Sequence, residues 1–175
     1  MTLRLGVLSD PHQRVDLQKE AIDFLKKRGA SYLLHLGDLC TEKNLESLQE
    51  SGLPYVAIFG NNDTRLTPLA NQYNIKKEPY YVKVQNTTIK MMHLPYYLTP
   101  DSDLVLFGHL HKFSVEFQNN TLFLNPGEIC ARNKNLTECA YIEVSSDSFM
   151  VEYLFREPNR TRWQSKVFQF QRGTN

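Results

Sequence analysis

The chain has 175 residues, 41% hydrophobic and 22% charged, with 20 Lys and Arg against 19 Asp and Glu and a formal net charge of +1. That length fits about one domain with its own core, and the near-neutral balance gives no sign of an acidic or nucleic-acid partner. The opening "MTLRLGVLSD" reads as a strand without the basic segment, long apolar run and cleavage site of a signal peptide. No stretch approaches a membrane-spanning length, so a cytoplasmic protein without a membrane partner is expected. Cys40, Cys130 and Cys139 form no CxxC pair and read as reduced thiols.

In chain order, "LRLGVLSD" reads as a strand, followed by Leu17, Ala21, Phe24 and Leu25 at helical spacing and a helix end at Lys26, Lys27, Arg28 and Gly29. "SYLLHLGD" is a nearly continuous apolar strand, Leu45 and Leu48 mark a shorter helix stopped at Gly52, and "YVAIFGN" is a third strand. This βαβαβ order predicts a parallel sheet covered on both faces. From Tyr80 the pattern changes: "YYVKVQ" and "TTIKMMHL" meet at Asn86, "DLVLFGHL" and "FSVEFQ" follow, and Asn119 and Asn120 turn into "TLFLNPG". "AYIEVSS" and "SFMVEYLFRE" add a hairpin. These read as antiparallel strands of a second sheet against the first, so the expected class is α/β, a two-sheet β-sandwich flanked by helices. The domain is expected over residues 1–157, with residues 158–175 as a C-terminal basic tail carrying Arg160, Arg162, Lys166 and Arg172. A solvated or terminal strand segment is the preferred reading of that tail over an anion-binding role.

Chemistry-bearing residues gather where strands end. Asp10 and His12 close the first strand, Asp38 the second, Asn61 the third, His93 closes "IKMMH", and His109 and His111 close "LVLFGHLH". In a parallel α/β sheet such ends lie along one edge, so residues a hundred positions apart can converge. If the chain stays extended, the rings of His109 and His111 can point the same way. Imidazole nitrogens with carboxylate or amide oxygens suit divalent transition metals, and the absence of thiolates argues against a closed structural zinc site.

The ordered set D-x-H, G-D, G-N-x-D, H and G-H-x-H, from about Leu5 to Gly127 and including "NPG", resembles the calcineurin-like metallophosphoesterases, especially the shorter, YfcE-type phosphodiesterases. The resemblance implies the metallophosphoesterase fold, with one metal held by Asp10, His12 and His111, a second held by Asn61, His93 and His109, and Asp38 bridging both. It implies two divalent ions per chain, Mn²⁺ expected and Ni²⁺, Zn²⁺ or Fe²⁺ as alternatives. It also implies a small phosphodiester substrate, attacked directly by a hydroxide bridging the metals. Two metals roughly 3.5–4 Å apart can clamp the attacking and leaving oxygens of a phosphoryl centre and lower the pKa of the water between them. A carboxylate at Asp38 offers two oxygens and a charge to the two cations, whereas Asn61 supplies a neutral oxygen. Asp38, Asn62 and Asp63 form the expected catalytic set, Asp63 by orienting a ligand from behind.

Departures from the family pattern also carry information. Many members place a histidine after the G-N asparagine, where this chain has Asn62, an amide that cannot act as a general acid near neutral pH. Diester hydrolysis is therefore expected over strong monoesterase activity. Glu128 follows "NPG" where relatives often carry serine, and Leu94 follows His93 in place of the usual glycine, so the pocket wall is expected to be unusual. His35 is expected as a core histidine and Cys40 as a small buried hydrophobe, while Arg132 and Lys134 fit either a solvated loop or a substrate phosphate. An alternative class is an interaction protein, because the same fold serves the retromer scaffold subunit; the complete ligand set favours catalysis. A nucleic-acid module would need more basic and aromatic surface than "RTRWQSKVF". A homo-oligomer is compatible with the sequence and not required by it.

Overall fold

The first half follows the expected order: β1 (Leu3–Leu8), α1 (Val15–Arg28), β2 (Tyr32–His35), α2 (Glu42–Glu50) and β3 (Tyr55–Ile58). The computed structural model describes residues 2–173. Helix α1 buries Leu17, Ala21, Ile22 and Leu25, one face at three- and four-residue spacing, with Asp16 in its first turn and Lys26, Lys27 and Arg28 in its last. Gly29 stops it at φ 104°, a left-handed conformation that glycine adopts without a Cβ penalty.

A 3₁₀ helix (Thr64–Leu69) and β4 (Ile75–Lys76) follow, neither evident from hydrophobic periodicity. Then come β5 (Tyr80–Val84), β6 (Thr87–Met92), β7 (Leu104–Phe107), β8 (Phe113–Gln118), β9 (Thr121–Pro126), β10 (Thr137–Val144), β11 (Ser148–Arg156) and β12 (Gln164–Gln171). They form two sheets, in the orders β12-β11-β10-β1-β2-β3-β4 and β5-β6-β7-β9-β8.

Two sequence expectations are corrected here. The strands after Tyr80 do not all enter the second sheet, because β10 pairs antiparallel with β1, Leu3 opposite Val144 through Val7 opposite Ala140. Strand β10 alternates Ala140, Ile142 and Val144 toward the space between the sheets with Cys139 and Tyr141 toward the helices. Both of its faces are apolar, so it belongs in the middle layer. The second sheet is also mixed rather than antiparallel: β6–β7 and β7–β9 are parallel. Residues 93–103 return the chain to the same end, and the fully buried "LVLF" takes the centre.

The result is three layers: helices, first sheet, second sheet. One apolar cluster lies between the sheets and another between the first sheet and the helices. Within the C-terminal basic segment, residues 164–171 pair along β11 as β12, and Phe168 and Phe170 lie 5.7 Å from the rings of Phe113 and Phe117. Apolar alternation explains why this segment docks despite its charge.

Candidate metal centre

The loops after β1, β2, β3, β6 and β7 meet at one end of the sandwich. The backbone there is unusual: Asp10, His12, Asp38, His109 and His111 have φ between 49° and 66°. Left-handed backbone costs a non-glycine residue on the order of 1–3 kcal/mol, and such outliers cluster where surrounding structure holds a functional geometry. The loops are tied together by Asp10 N–H to Gly37 O and His12 N–H to Asp38 O, both 3.0 Å. Gly108 permits a close approach, since a Cβ there would sit 2.2 Å from Ser9 Oγ and 3.0 Å from Asp10 Oδ2. The "GHLH" pair is therefore a turn and not extended: the two rings face different neighbours.

One group joins Asp10, His12 and His111. His111 Nε2 lies 3.2 Å from Asp10 Oδ1 and 3.3 Å from His12 Nε2, and His12 Nε2 is 4.0 Å from Asp10 Oδ1. A second group joins Asn61, His93 and His109. Asn61 Oδ1 lies 2.9 Å from His93 Nε2 and 3.2 Å from His109 Nδ1. Asp38 stands between them, its Oδ2 3.7 Å from His12 Nε2 and its Oδ1 3.4 Å from His93 Nε2. All seven residues that the sequence singled out as ligands converge.

The donor chemistry fits divalent cations. His93 Nδ1 is 2.7 Å from Leu36 O, so that nitrogen carries the proton and Nε2 presents a lone pair to the Asn61 oxygen. His111 Nδ1 likewise bonds Glu128, turning a lone pair at Nε2 toward Asp10. Asp10 Oδ1 is buried without a hydrogen-bond partner of adequate geometry among the described residues. Acceptors facing acceptors in a buried site call for a cation between them. Where only protons are available, hydrogen bonds to Asp10, Cys130 and Glu128 push His111 up to about 11. Burial works to raise the Asp10 carboxyl, but His111, His93 and Ser9 together hold it below its ordinary value. The same negative surroundings favour a divalent ion.

The neighbours have distinct tasks. Asn62 gives its backbone N–H to Asp38 Oδ1 at 2.9 Å and its amide to Asp38 Oδ2 at 2.7 Å. Asp63 is fully buried and accepts Cys40 N–H and Gly60 N–H, each at 2.7 Å, so it clamps the loops after β2 and β3. His35 is fully buried, taking the Gly37 N–H at Nδ1 and bonding Gln18 through Nε2; burial pushes it down to about 3, which keeps it neutral. Cys40 is half-buried, 3.6 Å from His12 Nδ1, with burial and nearby carboxylates pushing its thiol up to about 12. Arg132 reaches to 3.5 Å from His12 Nε2, whereas Lys134 is committed to His111 O and Glu138. Sequence reasoning missed the part played by Glu128, which it noted only as a departure, and the nearness of Cys130, whose Sγ is 3.4 Å from Glu128 Oε2. Only the acid in place of a small residue after "NPG" could have pointed there.

A family model described as a calcineurin-like phosphoesterase superfamily domain matches residues 3–147. Phosphodiesterase MJ0936 of Methanocaldococcus jannaschii is 23% identical over 141 residues, covering 73% of this chain and 85% of that protein. Among solved structures, Vacuolar Protein Sorting 29 from Cryptosporidium parvum superposes with a TM-score of 0.75 at 16% identity, covering 98% of this chain and 99% of that one. YfcE, a phosphoesterase from E. coli, superposes with a TM-score of 0.67 at 19% identity, covering 84% and 91%. The two structural likenesses speak to the fold, the metallophosphoesterase sandwich. The matched segment takes in the second sheet, the first sheet except β11 and β12, and every residue of the two facing groups, and on that ground the chain belongs to the calcineurin-like phosphoesterase superfamily.

Proposed function

We propose that the chain is a metal-dependent phosphodiesterase that holds two divalent cations, one through Asp10, His12 and His111, the other through Asn61, His93 and His109, with Asp38 shared. The observation that carries this reading is Asp38, buried between the two groups of nitrogen and oxygen donors with one oxygen toward each. When bound, the cations lower the pKa of water to supply a nucleophile and take up charge on the phosphoryl oxygens. Mn²⁺ is the ion proposed.

The chain's own residues then do the following. Asn62 fixes both oxygens of Asp38, so the carboxylate does not have to reorganise during reaction. Glu128 and Leu36 O hold the tautomers of His111 and His93. Arg132 offers a guanidinium beside His12 for a substrate oxygen. The Asn62 amide is too weak an acid to protonate a leaving group, so diesters with stable leaving groups are the preferred substrates.

The test is to strip metals, re-add Mn²⁺, Ni²⁺, Zn²⁺, Mg²⁺ and Fe²⁺ separately, and measure bound metal and hydrolysis of a panel of phosphodiesters and monoesters. About two ions per chain with restored diester hydrolysis is expected. A metal content near zero with the fold intact would defeat this reading and promote an interaction protein. That second reading is supported by the exposed Tyr96, Tyr97 and Leu98 on the link between β6 and β7.

A further inference from the structure

Beside the proposed metal centre lies a cleft of about 700 Å³, roomy enough for a small ligand. Its wall includes His12, Cys40, Asn62 and three arginines, Arg14, Arg65 and Arg132, with no carboxylate and no Phe, Tyr or Trp among its lining residues. The arginines come from three separate segments: Arg14 precedes α1, Arg65 lies in the 3₁₀ helix, and Arg132 follows β9. Arg14 is neutralised by a two-pronged pair with Asp16, at 3.0 and 2.8 Å. Arg65 and Arg132 have no carboxylate within 4.0 Å among the described residues. Two uncompensated guanidiniums in one cleft are out of proportion to a chain of net charge +1.

We infer that this cleft recognises a second phosphoryl group, so that the substrate is a phosphodiester carrying an additional phosphate monoester, with the diester at the metal centre and the monoester between Arg65 and Arg132. The inference rests on the phosphodiesterase reading above. A dianionic phosphate matches two guanidiniums in charge and accepts several N–H bonds at once, whereas a carboxylate fills one fork. The missing aromatic surface argues against a ligand held by stacked bases. The two arginines enter the cleft from separate elements, the 3₁₀ helix and the segment after β9, and His12 shares its wall.

The test uses 4-nitrophenyl alkyl phosphodiesters whose alkyl chain, of three or six carbons, ends in a hydroxyl, a carboxylate or a phosphate. With Mn²⁺-loaded wild-type protein, the phosphate-ended ester should have a kcat/KM at least about tenfold above the hydroxyl-ended ester, chiefly through KM, with the carboxylate well below it. Arg65→Gln and Arg132→Gln should each shrink that ratio severalfold, and the double variant should remove it. The ratio is read within each protein, so a general loss of activity does not imitate the result. Hydrolysis of all three esters at similar efficiency overturns the inference and leaves the phosphodiesterase reading standing. Equal gains from carboxylate and phosphate overturn the assignment to a phosphoryl group. If no ester is hydrolysed by folded, metal-loaded protein, the phosphodiesterase reading fails, and calorimetry decides what remains. Tenfold tighter binding of propane-1,3-diyl bisphosphate than of propyl phosphate upholds recognition of two phosphates, and equal binding ends it.

Discussion

Glu128 accepts the Nδ1–H of His111 from the protein interior, and the opposite nitrogen of that ring thereby faces Asp10 Oδ1 at 3.2 Å. The carboxylate is itself fixed, taking the Asn133 N–H at 2.6 Å on its other oxygen. Glu128 therefore sets both the tautomer and the direction of His111. Removing such a support behind a metal-ligating histidine commonly lowers metal affinity about 10–100-fold. Glu128→Ala should do so, as read by competition with a chelator, while Glu128→Gln, whose amide oxygen can still accept the Nδ1–H but whose NH2 then meets the Asn133 N–H, should recover only part of the loss. Equal affinity in wild type and Glu128→Ala would show that the ring is held some other way.

Asp38 is expected to serve both metals. Asp38→Asn should reduce diester hydrolysis by orders of magnitude, because an amide brings neither the charge nor two equivalent oxygens to the site. Elemental analysis should show both ions weakened together. Loss of one ion with the other retained would mean that Asp38 belongs to a single site.

His35 should make the protein sensitive to acid. Its folded pKa is pushed down to about 3 by burial from an ordinary value of 6.5, so below 6.5 the unfolded chain takes up a proton that the native state refuses. The contribution of this group is fully present above pH 6.5 and is lost as pH falls toward 3, on the order of 2–3 kcal/mol by about pH 4.5. His35→Leu should be less stable at neutral pH by about 1–3 kcal/mol, since Gly37 N–H and Gln18 lose their partner. It should also lose stability less steeply on acidification. Urea midpoints measured against pH on the metal-free proteins give the comparison; parallel curves would contradict the assignment.

Asn62 should leave its mark on leaving-group dependence. With no proton donor at this position, kcat/KM for aryl phosphodiesters should rise steeply as the departing phenol becomes more acidic, and alkyl leaving groups should be poor. Asn62→His should flatten the slope and favour poor leaving groups, by up to about 10²–10⁴-fold for a well-placed ring. The same substitution removes the 2.7 Å hydrogen bond that the Asn62 side-chain amide donates to Asp38, so the slope rather than the absolute rate is the measurement. A shallow wild-type slope unchanged by the substitution, with chemistry rate-limiting, would assign the proton to another residue.

The sequence by itself determined the βαβαβ start, most strand segments and the identity of the seven residues now found in the two facing groups and between them. Each is a local signal: apolar runs bounded by Gly, Asn or Pro, helical spacing in α1, and polar residues placed where a strand must end. Tertiary structure alone decided which strands became neighbours. Strand β10 crosses to β1 because both its faces need cover, and β12 docks because Phe168 and Phe170 find Phe113 and Phe117, contacts between residues far apart in the chain. The turn at His109 and His111 was equally hidden, since left-handed backbone at a non-glycine residue is imposed by surroundings and not by propensity. So was the cleft: the sequence marked Arg132 as a candidate for a substrate phosphate but gave no sign of Arg14 or Arg65, and the three share a wall only where separate segments close around His12. Periodicity reports which face a residue needs buried, whereas convergence depends on long-range pairing that no short window contains.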